Sequence, residues 1–219
     1  KENGENVYQK MEHAYLGHEF SADEIEKALI ESKLPYYKSE NIEKEVAVLI
    51  NEKNIIGWFQ GRMEIGARAL GNRSILASPV FKTMKDKINL EVKHRENWRP
   101  FCPSMKVESY KKYIKASINS PFMILAFEVV DDAKDAIPSC VHVDGTARPQ
   151  AVEKEHNLRY WTLIDEFEKL SGCGVLINTS FNIQGEPVVS SPQDALRTFG
   201  GTGIDVLAIG DFIVKKSGC

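Results

Sequence analysis

The chain has 219 residues, of which 42% are hydrophobic and 27% are charged, so it has the composition of an ordinary globular protein and can bury a core. Its formal net charge of −3 argues against a general nucleic-acid binder, which would normally be basic, although it leaves room for a local basic pocket. The length allows one large domain or two small ones.

The cysteines form no CxxC pair and no cysteine–histidine cluster, so a structural zinc site is not expected and no metal ligands are predicted in this chain. No stretch resembles a signal peptide or a transmembrane run. Isolated cysteines without a targeting segment predict a cytoplasmic protein. Because the chain starts at Lys1 rather than at methionine, it is either processed or a piece of a longer protein, and we favour the piece.

Residues 1–40 are predicted to form a connector that contains one helix. Ser21 and Glu24 match a capping box and should begin a helix of about three turns, which Pro35 would end. From residue 41 onward, the hydrophobic spacing predicts helices and strands in alternation. The first of these are a helix at 41–52, strands at 55–60 and 74–77, and a helix at 82–93.

The second half of the chain continues the alternation after a loop in which Pro100 and Pro103 forbid a helix. The predicted elements are a short helix at 110–115, a strand at 122–130, a helix at 157–170, a strand at 174–177, a helix that starts at Ser191-Pro192, and closing strands at 206–209 and 212–214. The closing strands are too near each other for a helical crossover. The class is therefore α/β, with a mixed rather than an all-parallel sheet.

Four loops next to these strands are rich in polar side chains, namely 62–73, 93–99, 144–148 and 178–182. Ligands of α/β proteins collect where such loops meet strand ends. If the four loops converge, they bring several cationic groups together with amide and hydroxyl donors, which is a suitable cradle for a polyphosphate.

These loop residues also have ordinary structural explanations. An arginine in a loop is most often a solvated or ion-paired surface group. The basic run 93–95 can complement the dipole at a helix C-terminus, and Asn178 and Asn182 can simply close a turn. The spacing of Gly66 and Gly71 matches only the first half of a P-loop, since the Lys and Ser/Thr that should follow are missing.

Four strings of the sequence nevertheless occur together and in order: GRMEIGARALGNRSILASP, LEVKHRENWRPFCPS, VDGTARPQAV and INTSFNIQGEPVVSSPQDALRTF. They resemble the C-terminal region of the carbamoyltransferases of the nodulation and antibiotic-tailoring type, which include the tobramycin and cephamycin O-carbamoyltransferases. The resemblance extends from about residue 55 to residue 214. It implies a YrdC-like domain over residues 41–219, with a three-layer α/β fold and a twisted mixed β-sheet.

The resemblance also implies a reaction. Carbamoyl phosphate is hydrolysed to carbamate and phosphate, and carbamate then attacks the α-phosphate of ATP, which gives carbamoyl-adenylate and pyrophosphate. Mg²⁺ is expected to accompany the ATP. In the family a separate N-terminal domain, which holds iron in the tobramycin enzyme, passes the carbamoyl group to a hydroxyl of a small-molecule acceptor. That domain is not in this chain, so we expect this chain to lack the complete transfer reaction.

Position in the matching motifs suggests which residues act. The phosphate and carbamoyl contacts fall to Arg68, Lys93, Arg99 and Arg148, and a hydrogen bond to the carbamoyl or adenylate group falls to Ser180. Second-rank candidates for nucleotide binding are Arg62, Asn72, Asn178 and Asn182. Fixed cations suit this chemistry because both substrates are anions, and a closed pocket suits it because carbamate decomposes in water.

Two alternatives remain open. YrdC-like folds also occur in tRNA modification, so the chain could be an RNA- or nucleotide-binding module without a carbamoyltransferase role, although its net charge and the acidic pair Asp131-Asp132 weigh against this. The chain could also be a lid or interaction domain with a degenerate site, against which the intact motif residues argue.

Overall fold

A large mixed β-sheet forms the centre of the part of the chain that the computed structural model describes, residues 11–216. Eight strands build this sheet and three short ones build a second sheet. In chain order the strands are β1 (Tyr36–Lys38), β2 (Ile56–Phe59), β3 (Arg73–Ala77), β4 (Cys102–Lys106), β5 (Ile114–Lys115), β6 (Phe127–Val129), β7 (Thr146–Ala147), β8 (Gln150–Val152), β9 (Val175–Ser180), β10 (Val206–Ile209) and β11 (Phe212–Lys215).

The large sheet has the order β1-β11-β10-β2-β3-β9-β4-β8, and the small sheet has the order β5-β6-β7. Strand β2 pairs in parallel with β10, and β8 pairs in parallel with β4, whereas the other neighbouring pairs are antiparallel. The mixed sheet predicted from the sequence is therefore confirmed. The two closing strands form the antiparallel hairpin that their short connection requires.

The α-helices of residues 11–216 are α1 (Ala22–Ser32), α2 (Ile42–Asn51), α3 (Met84–Ile88), α4 (Tyr110–Tyr113), α5 (Asp131–Lys134), α6 (Leu158–Ser171) and α7 (Pro192–Gly200). Four of them pack in two pairs, and each pair also contacts the sheet. The pairs are α1 with α7 and α2 with α6, which gives the three-layer α/β fold. Across residues 11–216, no helix has both the length and the apolar character needed to cross a bilayer.

The helix ends follow the capping signals in the sequence. Helix α1 begins at a capping box of Ser21 and Glu24, and α7 begins at a second one of Ser191 and Asp194. Helix α6 starts at an Asn157 cap and ends at Gly172, whose φ of 73° fits a left-handed C-cap that favours glycine. Each of these helices was predicted from its sequence.

In the middle of the chain one predicted strand is shorter than expected, and one strand was missed. The strand predicted over 122–130 is reduced to Phe127–Val129, because the residues before it form a loop in which Met123 has a φ of 55°. Strand β4 was not predicted, since Pro103 cannot donate a ladder hydrogen bond. Pro103 nevertheless lies opposite Ile177 in the interior of the sheet.

The residues before α2, predicted to be a connector, pack against the rest of the domain. The backbone of 14–18 pairs with that of 63–65, through Gly17 N to Met63 O at 2.9 Å and Ile65 N to Ala14 O at 2.8 Å. Further along, β1 extends the sheet at its β11 edge. The segment therefore lies directly on the glycine-rich loop 61–73 that follows β2. The first ten residues of the predicted connector lie outside the described residues.

Candidate functional site

Residues from all four polar loops line one pocket of about 140 Å³. The first loop contributes Arg68, the second Arg95, the third Arg148, and the fourth Asn178 to Ser180. The loops are brought together because β3, β9 and β4 are neighbours in the large sheet. The convergence that the sequence hypothesis required is thus present in the fold.

The pocket is cationic. Three arginines line it, and none of its described lining residues is acidic. Arg68 Nε and Arg148 Nε are buried and have no hydrogen-bond partner among the described residues, while Arg148 Nη2 lies 3.2 Å from the Cys102 sulfur. Buried donors are normally paired, and guanidinium groups pair best with carboxylate or phosphate oxygens. The pocket is therefore suited to an anion.

Two larger clefts are less suited to an anion because their charges are mixed. One, of about 430 Å³, lies beside Trp98 and includes Lys85 and Asp144. The other, of about 520 Å³, includes Lys215 but also Glu91 and other carboxylates. Among the pockets described within residues 11–216, only the pocket of about 140 Å³ brings together arginines from separate loops.

Arg95 is a lining residue that was not among the predicted site residues, although its neighbour Lys93 in the same basic run was. Its Nε donates to Asn89 Oδ1 at 2.7 Å, and its guanidinium lies over the Phe101 ring at 4.8 Å. Burial, followed by repulsion from Arg99, lowers the pKa of Arg95. The available signal was its place between Lys93 and Arg99 in a matching motif.

Arg99, which was predicted to contact the phosphate, is not among the lining residues. Its Nε pairs with Glu96 Oε2 at 3.1 Å, and 42% of its side chain is exposed. A ligand contact by Arg99 stays a prediction.

Lys93 is buried behind the pocket rather than in its lining. Its ammonium donates to the carbonyl oxygens of Ser180 and Asn182 and, at 2.9 Å, to Asn182 Oδ1. Burial, followed by repulsion from Arg95, lowers the pKa of Lys93 to about 7. Lys93 thus holds the loop that presents Ser180, whose hydroxyl donates to Asn182 Oδ1 at 2.7 Å and which itself lines the pocket.

Three second-rank candidates lie outside the lining of the pocket. Arg62 donates to the carbonyls of Leu16 and Gly17 at 3.0 and 3.1 Å. Asn72 is buried, and its side chain donates to the Arg62 carbonyl at 2.7 Å, while Asn182 donates to the Glu186 carbonyl at 2.7 Å. Each side chain therefore supports a loop in this structure, and its role toward a nucleotide stays a prediction.

Two buried ionisable side chains, Arg73 and Glu64, fix the glycine-rich loop that carries Arg68. The fully buried guanidinium of Arg73 donates to four backbone carbonyls and lies 3.7 Å above the Phe59 ring. Glu64 accepts from the backbone N–H groups of Leu70 and Asn72, each at 2.7 Å, and its burial raises its pKa. Arg73, which the sequence left undecided, is thus part of the loop's internal support.

Asn178, the fourth second-rank candidate, does line the pocket. Its Nδ2 donates to Ser104 Oγ and to Gln150 Oε1, and its Oδ1 has no partner among the described residues.

No group of three or more His, Cys, Asp or Glu side chains within residues 11–216 is arranged to hold a metal ion.

The fold and this pocket define an α/β domain with an arginine-lined pocket. The family model described as "Carbamoyltransferase C-terminus" matches residues 47–216, and the chain belongs to this family. It is 41% identical to nodulation protein NolO of Bradyrhizobium diazoefficiens, over 92% of this chain and 37% of that protein. It is 36% identical to the 3'-hydroxymethylcephem-O-carbamoyltransferase of Amycolatopsis lactamdurans, over 72% of this chain and 30% of that enzyme.

The chain therefore spans only 30–37% of the length of these two curated relatives. Two solved structures share its fold. Full-length HypF in its phosphate- and nucleotide-bound form superposes with a TM-score of 0.53 at 16% identity, over 83% of this chain and 22% of HypF. Sua5 from P. abyssi superposes with a TM-score of 0.52 at 14% identity, over 77% of this chain and 45% of Sua5. These likenesses agree with the YrdC-like fold that the sequence resemblance implied.

Proposed function

We propose that this chain binds carbamoyl phosphate and ATP in the arginine-lined pocket and forms carbamoyl-adenylate, as the activating domain of an O-carbamoyltransferase. The observation that carries the proposal is the meeting of Arg68, Arg95 and Arg148, from three separate loops, in a pocket with no described acidic lining residue. Membership of the carbamoyltransferase C-terminus family and the carbamoyltransferase name of the cephem relative support it.

The arginines suit the charges that develop during the reaction. In the first step, water converts carbamoyl phosphate to carbamate and inorganic phosphate. A carbamate oxygen then attacks the α-phosphorus of ATP, and pyrophosphate leaves. Both reactants are anions, so fixed guanidinium groups offset their repulsion and hold the phosphoryl oxygens in line. The Arg68 and Arg148 Nε–H groups lack described partners, and the phosphoryl oxygens would accept hydrogen bonds from them.

Ser180 and the loop behind it would orient the small acyl group. Ser180 lines the pocket, and Lys93 fixes its backbone from the buried side. Exclusion of water from the occupied pocket would also protect carbamate, which decomposes readily in solution. Mg²⁺ would arrive as part of the nucleotide substrate, because the described lining residues offer no carboxylate to hold a resident ion.

Titration calorimetry on this chain tests the proposal. We expect heats of binding from carbamoyl phosphate and from ATP with Mg²⁺, and none from a panel of short RNAs. The same titrations on the Arg68→Ala and Arg148→Ala variants should show weaker binding of both ligands. RNA binding in the absence of ATP binding would instead favour an RNA-binding module and would contradict the proposed function.

A further inference from the structure

A buried network fixes the orientation of the Asn178 side-chain amide. The Leu70 carbonyl can only accept, so Gln150 donates to it through Nε2 at 2.7 Å and keeps Oε1 as an acceptor. Ser104 Oγ donates to that Oε1 at 2.7 Å. Asn178 must therefore place its donor nitrogen, Nδ2, toward Gln150 Oε1 and Ser104 Oγ, at 3.0 Å from each. Its carbonyl oxygen, Oδ1, is left on the other side of the amide.

The Asn178 Oδ1 atom is buried and has no partner among the described residues. Two other buried atoms without a described partner, Arg68 Nε and Arg148 Nε, belong to residues that line the same pocket. Unpaired donors match ligand oxygens, whereas an unpaired carbonyl oxygen matches a ligand N–H or O–H group. A ligand that satisfies all three atoms combines anionic oxygens with at least one hydrogen-bond donor.

We infer that Asn178 Oδ1 accepts a hydrogen bond from the amide nitrogen of carbamoyl phosphate and thereby makes the pocket selective for the carbamoyl group. The inference rests on the proposed function. Carbamoyl phosphate and acetyl phosphate have the same charge and nearly the same shape, and differ in an NH₂ group against a CH₃ group. The arginines serve both phosphates, but the methyl group leaves Asn178 Oδ1 buried and unpaired.

A site that hydrogen-bonds a substrate N–H rejects an analogue without it, because the buried protein group then loses its partner. The network behind Asn178 prevents the amide from rotating to relieve that loss, since rotation would place Oδ1 against Gln150 Oε1, and both of these oxygens can only accept. Selectivity therefore comes from a rigid acceptor rather than from the size of the pocket.

The test is calorimetric measurement of Kd for carbamoyl phosphate, acetyl phosphate and inorganic phosphate on the whole chain. We expect carbamoyl phosphate to bind about tenfold or more tightly than acetyl phosphate. In Asn178→Ala this ratio should fall to near one. Asn54→Ala is the matched control, because that amide donates to the Leu49 carbonyl outside the pocket, and it should keep the wild-type ratio.

Equal affinity of the wild-type chain for the two acyl phosphates would overturn the inference, and this result needs no variant that might misfold. A preference that persists in Asn178→Ala would overturn it as well. If neither carbamoyl phosphate nor inorganic phosphate bound, the proposed function itself would fail, which separates that failure from a failure of the selectivity.

Discussion

Among single residues, the arginines of the glycine-rich loop divide according to what accepts their hydrogen bonds. Arg73 donates to four backbone carbonyls, so its charge supports the loop. Arg68, five residues earlier on that loop, keeps a buried Nε–H without a described partner, as Arg148 does on another loop. An unpaired buried donor costs about 1–3 kcal/mol, so a ligand that pairs it gains affinity from the folded structure.

We expect Arg148→Ala to weaken the binding of carbamoyl phosphate by about 1.5–3 kcal/mol, the usual contribution of a hydrogen bond to a charged group. The variant should unfold at nearly the same temperature as the wild type, since Arg148 has no ion-pair partner among the described residues. Calorimetry and thermal denaturation measure the two effects.

The matched control for this prediction is Arg197→Ala. Arg197 pairs with Asp194 at 3.3 Å on the surface, with 70% of its side chain exposed, and should leave the affinity unchanged. An unchanged affinity in Arg148→Ala would remove Arg148 from the binding site.

Lys93 should make the stability of the domain depend on pH. Its pKa is lowered from 10.5 to about 7 in the folded chain, so between these values the unfolded chain binds more protons. The free energy of unfolding must then rise with pH across this interval. We expect the difference in this free energy between the wild type and Lys93→Met to grow in favour of the wild type from about pH 7 to about pH 9.5.

Urea denaturation at a series of pH values measures that difference. Lys169→Met is the control, because Asp165 and Glu166 raise the pKa of Lys169 and keep it charged over the same interval. A difference between the wild type and Lys93→Met that stays constant with pH would show that Lys93 keeps its proton in the folded chain.

Among the elements, the glycine-rich loop offers two glycines with similar backbone angles but different surroundings. Gly66 has a φ of 104° and open space where a side chain would extend. Gly71 has a φ of 107°, and a Cβ atom at this position would overlap the ring of Tyr160. Tyr160 is fully buried in α6, so its ring has little room to move.

Gly66→Ala should therefore cost only the backbone strain of about 1–3 kcal/mol. Gly71→Ala should add overpacking of about 1–3 kcal/mol, and chemical denaturation of the two variants measures the difference. Equal losses would show that the loop moves away from α6 at no cost.

The elements also show how far a sequence predicts structure. Local signals were enough for α1, α6 and α7, since a cap and an apolar stripe lie within each segment. Strand β4 depends on partners far along the chain, because β8 and β9 supply its ladder. A proline-containing segment gives no local sign of such pairing.

The candidate site likewise has a part that local sequence signals predict and a part that depends on the folded structure. The four loops were identified from their composition, and three residues that the motif resemblance selected, Arg68, Arg148 and Ser180, line the pocket. Which of Lys93, Arg95 and Arg99 faces the pocket depends on the turn at His94, whose φ is 48°. Spacing within a basic run does not determine that turn, so Arg95 was missed.

For the whole molecule, the share of its relatives' length that this chain covers bears on which reactions we expect from the chain alone. The chain corresponds to 30–37% of the length of the cephem enzyme and of NolO, and its described residues contain the arginine-lined pocket. Activation of carbamoyl phosphate needs only that pocket in our proposal. Transfer to a hydroxyl needs a second site that binds the acceptor.

We therefore expect this chain, given ATP, Mg²⁺ and carbamoyl phosphate, to release pyrophosphate only while carbamoyl phosphate is present. With carbamoyl phosphate labelled at its carbonyl carbon, the label should end as bicarbonate and AMP should accumulate, because water hydrolyses carbamoyl-adenylate to AMP and carbamate, and carbamate then decomposes. Arg148→Ala should release pyrophosphate more slowly. The full-length Amycolatopsis lactamdurans enzyme with 3'-hydroxymethylcephem is the positive control for transfer, and a stable labelled carbamate ester formed by this chain alone would show that transfer does not depend on a further domain.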